Sequence, residues 1–194
     1  MDKILFLGDS LTDCERLYSR DGLGEGYVKA LSARLPYRLI NSGFNGFTAA
    51  DINRRLNIFL QAEPKYISLL VGVNDVPSVM ENGQKGFERF KDSYNSILKK
   101  LSPYRDNTLI MLPFIFTTPA EFVLWQKALE GMNKEIRHLC QKYGFKNILD
   151  TEKIFREKAE TLGDNVLTTD GIHLTETGHH ILAEHWLKLF ERII

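Results

Sequence analysis

The chain has 194 residues, 43% hydrophobic and 26% charged, and its 25 Lys plus Arg balance 25 Asp plus Glu, so it carries no net charge at pH 7. This composition argues against disordered, collagen-like and membrane classes, and the length suits one domain over residues 1–194 with a full core. A neutral chain with no basic cluster lacks the electrostatic footprint of nucleic-acid or anionic-lipid binding, so neither nucleic acid nor integral membrane contact is expected. Two distant cysteines, Cys14 and Cys140, suit neither a disulfide framework nor a zinc site.

In chain order, the first element is a short apolar run, Ile4–Leu7. It is too short for a signal-peptide core and Asp9 ends it, so a cytoplasmic protein is expected. Further strand candidates are Tyr37–Ile40, Tyr66–Val71, Thr108–Phe116 and Asn147–Leu149. Tyr66–Val71 and Thr108–Leu112 are apolar without alternation, as strands covered on both faces should be. Helical patterns lie between them, at Tyr27–Leu35, Thr48–Leu60, Phe87–Leu101, Pro119–Tyr143 and Thr175–Ile193. Thr48 with Asp51 three residues on reads as a helix start, and Gly144 as a helix stop. Pro77–Gly86, with Asn82-Gly83 and Gly86, reads as a mobile loop. Strands alternating with helices imply βαβ units. The expected fold is a three-layer α/β/α sandwich around a flavodoxin-like, five-stranded parallel sheet, with ligands bound beyond the carboxyl ends of the strands.

The residues just past each strand are therefore the informative ones. Gly8-Asp9-Ser10-Leu11-Thr12 comes after the first, Asn41 to Thr48 after the second and Gly72-Val73-Asn74-Asp75 after the third. Asp170-Gly171-Ile172-His173 precedes the last helix. Each alone has an ordinary explanation as a turn or a helix cap. Together, in this order and at one sheet edge, they supply the parts of an acyl-transfer site. Ser10 needs a base to become nucleophilic, His173 can take its proton, and Asp170 can orient His173 within one tight turn. Ser10 N–H, a glycine N–H of the second loop and the Asn74 amide can face an oxyanion.

On these blocks the chain resembles the SGNH, or GDSL, serine hydrolases and esterases. The resemblance runs from residue 4 to about residue 190. It implies the three-layer sandwich, a catalytic triad of Ser10, His173 and Asp170, and an oxyanion hole of Ser10, Asn74 and a glycine. Gly46 is the favoured glycine donor by block position and Gly43 the alternative. It implies a cofactor-free, metal-free hydrolase of small acyl esters working through an acyl-enzyme. Lysophospholipases and thioesterases of longer acyl chains are the alternative within the family. Thr12-Asp13-Cys14 and Gly24-Glu25-Gly26-Tyr27-Val28 also resemble the branch that removes acetyl groups from xylo-oligosaccharides. Where that branch carries a tryptophan beside the acid, this chain has Thr169.

Remaining candidates are weaker. Asp9 and Asp75 read as supports of loop hydrogen bonding, and Phe44, Phe47, Phe114 and Thr169 with Asp9 as substrate-pocket residues. His179, His180 and His185 lack metal-ligand spacing and read as surface or capping residues, and Cys14 as a small buried filler. A homo-oligomer is compatible with this sequence, which does not fix the oligomeric state.

Overall fold

The computed structural model describes residues 1–194. In chain order the elements are β1 (Lys3–Gly8), α1 (Ser10–Asp13), α2 (Tyr27–Ser32), β2 (Arg38–Gly43), α3 (Ala49–Phe59) and β3 (Tyr66–Leu70). Then come α4 (Val76–Asn82), α5 (Gln84–Leu101), β4 (Thr108–Met111), α6 (Val123–Tyr143), β5 (Asn147–Leu149), α7 (Thr151–Leu162), α8 (Asp164–Leu167) and α9 (Glu176–Phe190).

The five strands pair in parallel in the order β2-β1-β3-β4-β5. This is the flavodoxin-like order, and the chain reverses direction across the sheet between β1 and β3. Strand geometry sends alternate side chains to opposite faces. Leu5, Leu7, Ile67, Leu69 and Ile110 pack with Ile52, Phe90, Ile97 and Ile136 from α3, α5 and α6. Ile4, Phe6, Tyr66, Leu70 and Met111 pack with Tyr27, Phe155, Leu182 and Trp186 from α2, α7 and α9. Two helical layers thus enclose the sheet, which is why the central strands read as unbroken apolar runs. The one polar residue of β3, buried Ser68, accepts a hydrogen bond from Trp186 Nε1 at 2.9 Å, so neither group is left unpaired. No helix is long and apolar enough to cross a membrane.

Several local expectations are met. Thr48 and Asp51 form a reciprocal capping box at α3, and Gly144 ends α6 in the left-handed conformation. Others need correction. Pro77–Gly86 is not a loop: Val76–Asn82 is α4, with Pro77 in its first turn, and α5 already starts at Gln84. Gly86 lets the two helices approach closely, since a Cβ there would lie 2.2 Å from Ser78 O. The fourth strand stops at Met111 rather than Phe116, two residues before Pro113, which has no N–H to pair. The second strand runs on to Gly43. The helix Thr151–Leu162 is not among the expected elements; the Asp150 side chain caps it by accepting from Lys153 N–H.

Candidate active site

The site forms where β1, β2 and β3 end. After Gly8 the chain turns sharply, and buried Asp9 caps α1 by accepting from Leu11 N–H at 3.0 Å. Ser10 is thereby the first residue of α1, at the mouth of the switch point. Its N–H belongs to a first helical turn, where no intrahelical acceptor exists.

Asp170 and His173 sit on the turn between α8 and α9, which an antiparallel bridge between Thr168 and Leu174 pins. Asp170 Oδ1 accepts from the backbone N–H groups of Ile172 (3.0 Å) and His173 (2.8 Å), while Oδ2 lies 2.6 Å from His173 Nδ1. His173 Nε2 lies 2.9 Å from Ser10 Oγ. With Nδ1–H donated to the carboxylate, Nε2 is left to accept the serine proton, an assignment that rests on the network. Burial alone would raise the Asp170 carboxyl, but its bonds from the His173 ring and from two backbone N–H groups outweigh this and hold it below the ordinary carboxylate range. The Asp170 and His173 side chains are each about half exposed, so substrate and water reach them directly.

Both glycines of the second loop are candidate oxyanion donors, and their surroundings separate them. Gly43 N–H is taken by Asn41 Oδ1 at 2.9 Å, and the residue packs so closely on α1 that a Cβ would lie 2.3 Å from Asp13 N. Gly46 lies at the surface with φ +73°, a conformation that favours glycine, and its N–H has no protein acceptor. Asn74 donates one Nδ2 hydrogen to Phe47 O at 3.0 Å, which fixes the amide and leaves its second hydrogen free. Ser10, Gly46 and Asn74 line one groove with His173.

That groove measures about 1060 Å³, and most of the residues that line it carry polar side chains, including Glu15, Glu25, Lys29, Asn45 and Glu176. None of these five stands out in the sequence; they cluster only through folding. None of the five substrate-pocket residues expected from the sequence is in the groove lining. Phe44 and Phe47 stack on each other at 4.6 Å, with the Arg16 guanidinium 4.2 Å over Phe44 and Arg55 5.0 Å over Phe47, and neither lines the groove. Phe114 is buried and packs on Phe155 in the wall of a separate cavity of about 360 Å³. Thr169 is exposed beside the acid, its hydroxyl donating to His173 O at 3.3 Å. Asp9 lies beneath the site rather than in it. Thr168 is a residue that sequence reasoning misses. Its Oγ1 donates to His173 O and accepts from Gly171 N–H, both at 2.8 Å, and the threonine pair before Asp170 is the available signal for such a side-chain turn.

Two pairs of ionisable groups border the site. Burial pushes Asp9 up to about 7 against the Leu11 N–H bond that lowers it, and pushes Asp75 likewise to about 7. Cys14 Sγ lies 3.4 Å from His179 Nε2 in the groove wall. Burial pushes this thiol up to about 12 and the imidazole down to about 4, so the contact joins neutral partners and makes no second thiolate nucleophile. Cys14 is only half-buried and His179 is part of the groove wall rather than a surface or capping residue, both corrections to the sequence reading.

The family model for GDSL-like lipases and acylhydrolases matches residues 6–181 of this chain. An acetylxylan esterase from Geobacillus stearothermophilus is 26% identical over 205 residues, covering 96% of this chain and 93% of that protein. A crystal structure of an acetylxylan esterase from the same organism superposes with a TM-score of 0.80 at 25% identity, over 97% of this chain and 94% of that one. An alpha/beta hydrolase enzyme from the metagenome of Lake Arreo shares the fold with a TM-score of 0.83 at 21% identity, over 100% of this chain and 96% of that one.

Proposed function

The chain belongs to the GDSL-like lipase/acylhydrolase family, and from that premise we propose that it is a serine esterase removing short acyl groups, acetyl above all, from carbohydrate hydroxyls. The observation that carries the chemistry is the continuous chain of contacts from Asp170 through His173 to Ser10, opening into a polar groove. In this reading Ser10 Oγ attacks the ester carbonyl as His173 Nε2 takes its proton. Ser10 N–H, Gly46 N–H and the Asn74 amide receive the oxyanion. As the tetrahedral species collapses, the C–O bond to the alcohol breaks and the imidazolium returns the proton to the leaving oxygen. Water then attacks the acyl-enzyme, His173 again acting as base, and the free acid leaves Ser10 restored. Asp170 stays ionised throughout and holds the imidazolium.

The sugar assignment rests on the polar side chains that line the groove and on likeness to an acetylxylan esterase. Residues 1–194 acting as one hydrolase domain, and a cytoplasmic place of action, belong to the same proposal. The test is hydrolysis of p-nitrophenyl esters from acetyl to dodecanoyl, with Ser10→Ala as blank, then acetate release from acetylated xylo-oligosaccharides. A sharp acetyl preference with acetate release is expected. A peak at medium or long chains would overturn the carbohydrate reading, and equal activity in the blank would overturn the triad.

A further inference from the structure

The 3₁₀ turn after β3, Val73–Asp75, grips the second loop at two points. Asn74 donates to Phe47 O at 3.0 Å, and the next residue, Asp75, accepts from Ala49 N–H through Oδ2 at 2.9 Å. These backbone groups lie one and three residues beyond Gly46. Thr48 and Asp51 cap helix α3 reciprocally, but their bonds serve the Asp51 and Thr48 N–H groups and leave the buried Ala49 N–H to Asp75. Asp75 does not answer a cation. The ionisable groups that face it are Asp51 from α3, Asp9 from the turn after β1 and Tyr94 from α5. A carboxyl only 8% exposed with such neighbours is costly to bury, and the hydrogen bond that offsets this cost comes from Ala49 N–H. What its bond to Ala49 also accomplishes is geometric: the start of α3 is tied to the turn that carries Asn74.

We propose that Asp75 is a positioning residue of the oxyanion hole, locking the Gly46–Ala49 segment to the Asn74 turn so that two of the three donors are set by one rigid link. This rests on the proposed esterase function. It predicts an effect on the transition state rather than on substrate binding, because the ground-state carbonyl needs the donors less than the oxyanion does.

The experiment compares Asp75→Ala, Asp75→Asn and Ala49→Pro with wild type and Ser10→Ala on p-nitrophenyl acetate, each protein checked by circular dichroism and thermal melting. Ala49→Pro removes the donor N–H and sets a ring carbon against the Asp75 carboxyl, so it breaks the same link from the other side. Proline is tolerated at a first helical position, and Thr48 already has the extended backbone that must precede it. Expected are a kcat loss of about 10–100-fold in folded Asp75→Ala with KM within about threefold, and recovery to within about threefold of wild type in Asp75→Asn, whose amide oxygen still accepts from Ala49 N–H. Ala49→Pro should match Asp75→Ala, and the double variant should lose no more than either alone. Wild-type kcat in folded Asp75→Ala, a loss confined to KM, or additive losses would each overturn the proposal. If Asp75→Ala does not fold, Ala49→Pro alone decides it by the same kcat criterion. Failure of wild type to hydrolyse the ester through Ser10 would instead remove the esterase function itself.

Discussion

His173 Nε2 stands 2.9 Å from Ser10 Oγ across 163 residues of sequence, while the carboxylate that orients it comes from only three residues away. The imidazole and the carboxylate are thus one preformed unit on the turn before α9, brought as a whole to the serine at the end of β1. Asp170 serves twice, with one oxygen on the turn's backbone and the other on the imidazole.

Ser10→Ala and His173→Ala should each remove nearly all turnover, since nucleophile and base act as a unit. Asp170→Asn should cost about 10²–10⁴-fold in kcat, because a single amide oxygen cannot serve both the backbone N–H groups and the ring Nδ1–H. Steady-state kinetics on p-nitrophenyl acetate checks all three. Wild-type turnover in any one of them would refute its assigned role.

Asn74→Ala removes a free donor that Phe47 O holds in place. A kcat loss of about 10²–10³-fold with little change in KM is expected. Gly46→Ala meets no neighbour within 4 Å, so it tests backbone conformation alone. At φ +73° it should cost about 1 kcal/mol of stability and also lower kcat as the loop relaxes. An Asn74→Ala effect confined to KM would remove Asn74 from the oxyanion hole.

Asp9 links pH to stability. Its carboxyl is pushed by burial to about 7 in the fold, against 3.8 ordinarily. Between those values the folded chain retains a proton that the unfolded chain has released. Stability therefore falls as pH rises through this window, by at most about 1.4 kcal/mol per pH unit for one group, and levels off above it. In Asp9→Asn the drop in melting temperature between pH 5 and pH 7.5 should be shallower than in wild type. An unchanged slope would show that Asp9 does not hold its proton in the fold.

The Cys14–His179 contact gives the opposite dependence. Burial pushes His179 down to about 4, so as pH falls from about 6.5 toward 4 the unfolded chain takes up a proton that the fold refuses, and stability is lost. His179→Gln should reduce that acid-side loss, read as melting temperature against pH. Cys14→Ala should leave kcat within about threefold of wild type, because a thiol pushed up to about 12 supplies no thiolate. A large fall in kcat would give Cys14 a role in the reaction.

The βαβ order, the two-sided burial of β3 and β4 and the capping of α3 are legible in the sequence because they obey local rules: apolar runs, helical periodicity and a Thr48–Asp51 pair three residues apart. Three of the four blocks, those after β1, β2 and β3, are legible for a related reason. A residue just past a parallel strand is delivered to the carboxyl edge of the sheet whatever the rest of the chain does. Pro77–Gly86 misleads because its Gly and Asn signals mark a break between two helices, Gly83 at φ +53°, rather than a loop.

What only the tertiary structure decided are contacts between distant segments. Asn41 occupies the Gly43 N–H, whereas the Gly46 N–H has no protein acceptor. Arg16 and Arg55 cover Phe44 and Phe47 outside the groove, although both rings come just after a strand end. Cys14 meets His179 across 165 residues, and Asp75 meets Ala49 across 26. The sequence by itself determined which chemistry arrives at the sheet edge, since strand ends and turn residues are local. Which N–H remains free, which ring is covered and which carboxyl holds a loop depend on packing between elements, and local periodicity carries no record of those partners.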